Sequence, residues 1–143
     1  MKQALMIYAV GMAGFQMAYL GLGFEPARNL GLGLVVLLAV LISGVFGWLW
    51  LMRTTPLALG LAFSWAGAAC LLGWWWLREV LGTPGWMAGN AVVFAFLTTY
   101  LTGAVLHLVV VQQSFALRRV AAWAPVALAA VISLILLAWQ GGV

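Results

Sequence analysis

The chain has 143 residues, 67% of them hydrophobic and only 6% charged, with a mean hydropathy of +1.18. Soluble domains carry about 25% charged residues, so this composition excludes a water-soluble globular domain, whose surface would be apolar and self-associating. The net charge of +4 comes from six basic residues spread over the ends of apolar runs, a pattern of membrane topology rather than of nucleic-acid binding.

A hydrocarbon layer about 30 Å thick takes about 20 residues of helix. By that criterion the chain divides into five runs, roughly 4–23, 31–52, 57–77, 87–111 and 120–139. The expected fold is an all-α integral membrane protein, a five-transmembrane-helix bundle forming one membrane domain over residues 1–143. The breaks "FEPARN", "RTTP", "REVLGTPG" and "QQSFALRR" are short, so consecutive helices should be antiparallel neighbours.

The first run follows a single cation, Lys2, and its apolar stretch of about 20 residues exceeds the 7–15 of a signal-peptide core. It is read as a retained span. Gln16 is a polar residue in its middle, and Gly14 and Ala18 form a small-residue track four apart. The second run carries Ala39, Ser43 and Gly47 at the same spacing. Thr54-Thr55-Pro56 then reads as a helix start, with a hydroxyl able to cap and proline in the first turn. The third run carries Gly60, Ser64 and Ala68, with Trp65 in mid-span and Cys70 alone. A lone cysteine forms neither an internal disulfide nor a zinc site.

Gly82-Thr83-Pro84-Gly85 is a turn signal. The fourth run opens near Asn90, a candidate cap or interhelical partner, and carries Ala95, Thr99, Gly103 and His107 four apart. The fifth carries Ala129 and Ser133, and Pro125 should bend it unless that helix starts later. Small tracks let helix backbones approach closely in lipid, where apolar side chains gain nothing by meeting each other.

Lys2, Arg53, Arg118 and Arg119 fall on one side of this threading, and Arg28 and Arg78 on the other beside Glu25 and Glu79. The positive-inside rule then puts the N-terminus in the cytoplasm and the C-terminus outside. Short loops without a transit segment point to a bacterial inner membrane. Trp48, Trp50 and Trp123 near inner ends, and Trp74, Trp75, Trp76, Trp86 and Trp139 near outer ends, form an interfacial belt.

No Asp, Glu, Lys or Arg lies well inside any run, and His107 is the one ionisable intramembrane candidate of the histidine, lysine, arginine and acidic types. A residue of that kind is a functional-site hypothesis by default. Sharing a helix side with Thr99, Gly103 and Tyr100, His107 is expected to face protein, its imidazole paired with a hydroxyl or with Trp65. A sharper role is axial ligation of a haem or chlorophyll-type pigment, for which a single histidine supplies one bond.

No metal-ligand pair, Ser-His-Asp set, phosphate loop or CxxC motif is present, and an enzyme is not expected. The function expected is an accessory, assembly or scaffold subunit. Its partners are the lipid bilayer and other integral membrane proteins or copies of itself, with no nucleic acid. The expected interhelical contacts are Gln16, Ser43, Gly47, Gly60, Ser64, Asn90, Thr99, Gly103 and His107. One alternative is a small oligomeric channel or carrier for an uncharged or hydrophobic solute, its cavity holding Gln16, Asn90, Thr98 or Thr102. The other is a haem- or pigment-binding subunit using His107. In span number, length and tryptophan content the chain resembles the tryptophan-rich sensory (translocator) proteins, which bind porphyrins and sterols. Their W-x-P-P-type loop after the first span is replaced here by "FEPARNLG", so the resemblance assigns no residue.

Overall fold

A computed structural model describes residues 2–114 and 123–140. Those residues form five helices and no strand: α1 Lys2–Leu22, α2 Phe24–Arg53, α3 Pro56–Val80, α4 Val92–Ser114 and α5 Ala124–Gln140. The first four are long and apolar enough to cross a bilayer. The fifth, expected as a full span, has 17 residues as described, and Pro125 stands in its first turn, where no backbone donor is lost. Arg118 and Arg119, which the topology argument used, lie outside the described residues.

Two boundaries differ from the sequence reading, each for a local reason. α2 starts at Phe24 instead of near residue 31. Gly23 breaks the chain at φ 86, and Pro26 falls in the first turn, where its missing N–H is harmless. Glu25 in that turn complements the positive helix end. The supposed loop is therefore the opening of α2. At its other end Thr54 takes a left-handed conformation (φ 50) and donates its N–H to Trp50 O. Thr55 makes no side-chain cap bond, so α3 restarts on the fixed φ of Pro56.

α4 starts at Val92 instead of 87. The chain first makes a 3₁₀ turn, Gly85–Met87, between left-handed residues at Gly82, Thr83 and Gly89. Asn90 then organises the helix start. Its Oδ1 accepts from the Val92 N–H (3.0 Å), and its Nδ2 donates to Trp86 O (3.2 Å).

The packed unit is α2–α3–α4, with α3 in the middle. On one side, a Cβ built on Gly33 would lie 2.9 Å from the Trp76 ring and one on Gly73 would lie 3.4 Å from Val36. About two turns further along α2, Ser43 Oγ donates to Ala62 O at 2.9 Å. These pairs run in opposite directions, so α2 and α3 are antiparallel. On the other side Gly60, Ser64 and Gly67 of α3 meet His107, Gly103 and Tyr100 of α4, again antiparallel. The buried apolar residues are small apart from Val36 and Met87: Ala27, Ala39, Ala58, Ala62 and Ala69. That is the packing expected where close approach of backbones, and not hydrophobic transfer, holds helices together.

α1 and α5 are different. α1 reverses at Gly23 and touches α2 chiefly where Phe15 fills the notch at Gly31 (3.0 Å from a built Cβ). α5 packs extensively on none of the other described helices. No described residue of α1 or α5 is buried.

Candidate functional site

The α3–α4 crossing positions His107. Gly67 admits the Tyr100 backbone, and Gly103 admits the backbone of Ser64; a Cβ on either glycine would overlap those atoms. Gly60 has the His107 backbone nitrogen 3.3 Å from its built Cβ. With the backbones so close, Ser64 Oγ lies 3.4 Å from His107 Nδ1, at the long limit of a hydrogen bond. Beside them is a cavity of about 400 Å³ whose walls include Ser64, Trp65, Ala68, Tyr100, Ala104 and His107.

The second ring nitrogen, Nε2, is buried and has no partner among the described residues. A neutral imidazole has one donor and one acceptor. If Nδ1 carries the hydrogen it donates to Ser64 and a bare lone pair is buried; if Nε2 carries it, an unpaired N–H is buried. Either way one polar atom is unsatisfied in a low-dielectric interior. Because Nε2 is enclosed and Nδ1 faces Ser64, ligation of a haem or pigment requires the ring to turn. No group of three or more His, Cys, Asp or Glu that could hold a metal ion comes together among the described residues.

The other expected contacts are dispersed. Gln16 lines a separate cavity between α1 and α2. Gly47 has nothing within 4 Å of a built Cβ. Thr99 donates to Ala95 O (2.9 Å), Thr98 to Phe94 O (2.7 Å) and Thr102 to Thr98 O (2.8 Å), all within α4. Thr98 and Thr102 border a third hollow. The structure therefore brings Gly60, Ser64, Gly103 and His107 to one crossing. Gln16 lines one cavity, and Thr98 and Thr102 line another.

Two features escaped the sequence reading. Gly67 completes the α3 track, and its spacing from Gly60 and Ser64 is the seven-residue pattern of a helix seam. Trp74 belongs to an aromatic cluster, edge-on to Trp86 at 5.9 Å and Phe96 at 6.0 Å. At the same end of the bundle, Arg28 Nη2 lies 2.7 Å from both Glu25 and Glu79, tying α2 to α3, while Arg78 stacks over Trp75. Arg53 is at the opposite end of α2.

Compared with protein-family models, with curated proteins and with solved structures, the chain has no match.

Proposed function

We propose that this chain is a non-catalytic, multi-pass subunit of a bacterial inner-membrane assembly, with α1 and α5 as the helices that pack against other integral membrane proteins. The carrying observation is the contrast between α2–α3–α4, which interlock through glycine, alanine and serine, and α1 and α5, which bury no described residue. α1 leaves Gly11 and Gly14 open, with nothing within 4 Å of a built Cβ. In lipid such surfaces associate by close packing with another helix. The proposed threading has five crossings, with the N-terminus and Arg53 inside. The ion-paired end, with Glu25, Arg28 and Glu79, is outside.

Site-directed cross-linking in native membranes tests this reading. In a Cys70→Ser background, single cysteines are walked along α1 and α5. Docking predicts a discrete cross-linked species recurring every three to four residues on one face, and its loss on Gly14→Leu. Uniform, face-independent labelling without a discrete product overturns it.

A further inference from the structure

Ser64, Trp65, Tyr100 and His107 come from two helices and line one half-open hollow of about 400 Å³, within the usual range of about 300–1,000 Å³ for ligand sites. We infer that this hollow binds the ring of a membrane-dissolved quinone, a flat head whose carbonyls accept hydrogen bonds and whose apolar tail stays in lipid. The inference is independent of the docking role above, because it uses α3 and α4 and neither α1 nor α5.

Depth limits which molecules reach the hollow. Trp65 stands nine residues beyond Pro56, the first residue of α3. That is about 14 Å of helix rise, and half the hydrocarbon layer is about 15 Å. Phosphates and ester carbonyls of ordinary lipids stay at the two interfaces, so a phospholipid offers only methylene groups at this level. No charged residue lines the hollow, so an ionic ligand finds no counter-charge there.

The wall holds more donors than acceptors in use. The indole N–H of Trp65 donates only, and neither it nor the Tyr100 hydroxyl has a hydrogen bond among the described residues. Thr98, Thr99 and Thr102 of α4 all donate to carbonyls of their own helix. Ser64 instead lies against His107 Nδ1. With the hydrogen on Nδ1 the imidazole donates to Ser64, and the serine hydrogen is left to donate onward. Unpaired donors in hydrocarbon are costly. A quinone carbonyl, which accepts and never donates, satisfies them without exposing the enclosed Nε2 of His107. The flat ring also suits Trp65 and Tyr100, neither of which contacts another ring among the described residues, and both present faces on which it stacks.

The test compares duroquinone with durene, the same methylated ring without carbonyls, on the intact chain in detergent micelles. Binding above that of empty micelles is measured by equilibrium dialysis. Tryptophan indole N–H signals are followed by NMR in the same samples. Duroquinone should bind saturably and shift one indole signal, the one missing from Trp65→Phe, and durene should do neither. Trp65→Phe keeps the ring and removes the donor, and should weaken duroquinone binding about three- to thirtyfold, the value of one intramembrane hydrogen bond. Ala104→Leu should abolish binding by filling the hollow. Thermal unfolding followed by circular dichroism is the folding control, and Trp65→Phe should leave it unchanged, since the indole N–H has no partner within the described chain. Equal binding of durene, unsaturable uptake of duroquinone, a shift at another tryptophan, or affinity unchanged in folded Trp65→Phe overturns the inference.

Discussion

Ser64 and Gly103 meet backbone to backbone where α3 and α4 cross, with no room between them for a methyl group. A side chain at position 103 would meet main-chain atoms and not the yielding tip of a neighbour, so the crossing must open to admit it. The Ser64–His107 contact depends on that closeness.

Gly103→Ala should therefore lower the unfolding free energy by about 1–3 kcal/mol, the usual cost of overpacking. Gly11→Ala, at a position with open space around it, should be neutral or raise it by up to about 1 kcal/mol through helix propensity. Denaturant titration in mixed micelles, followed by circular dichroism, distinguishes the two; equal effects would contradict the crossing described.

The half-satisfied imidazole gives a second expectation. Ser64→Ala strips His107 of its one partner and should cost about 0.6–1.7 kcal/mol, the range of intramembrane hydrogen bonds. His107→Leu should be close to neutral, because it removes the unpaired nitrogen and frees Ser64 to bond within its own helix. In the His107→Leu background the cost of Ser64→Ala should vanish. A double-mutant cycle measures this coupling, and additive effects would show that the 3.4 Å contact carries no energy.

Glu79→Gln removes the negative charge from the pair that joins the start of α2 to the end of α3. Both side chains are 38% exposed, so solvent screens the pair and the loss should be about 0.2–1 kcal/mol. The difference between variant and parent should shrink as salt is raised. A difference independent of ionic strength would point to packing instead of charge.

Topology is open to direct labelling. In a Cys70→Ser background, cysteine at position 83 should react with an impermeant maleimide applied outside intact cells. Cysteine at position 55 should react only after the membrane is opened. The reverse pattern would invert the assignment of the charged ends.

Much of the helical layout and the central crossing was readable from residues alone. Gly60, Ser64, Gly103 and His107 stand at helical spacing, and small residues in lipid have few roles other than close approach. The helix ends were harder. Pro26 reads as a breaker until its place in the first turn is known, and "GTPGWMAGN" holds enough turn residues to delay α4 by several positions. The short breaks make consecutive helices antiparallel neighbours, as α2–α3 and α3–α4 are, but how closely each pair packs was not readable. A run that is apolar all round shows no preferred face, so nothing in α1 or α5 distinguishes them from α2 before the structure places them. The threonines of α4 illustrate the same limit, since a hydroxyl that bonds its own helix and one that bonds a neighbour are identical in sequence.

The 30 residues of α2 make a rod of about 45 Å. From Arg28 to Arg53 alone the rise is about 38 Å, against a hydrocarbon slab of about 30 Å. To keep the whole apolar stretch between the two guanidinium groups in hydrocarbon the helix must lean from the membrane normal, or the surrounding lipid must thicken to meet it. Because α3 and α4 are locked to α2 through glycine contacts, they lean with it. The inclination of the whole three-helix slab is therefore tied to the thickness of the bilayer that holds it.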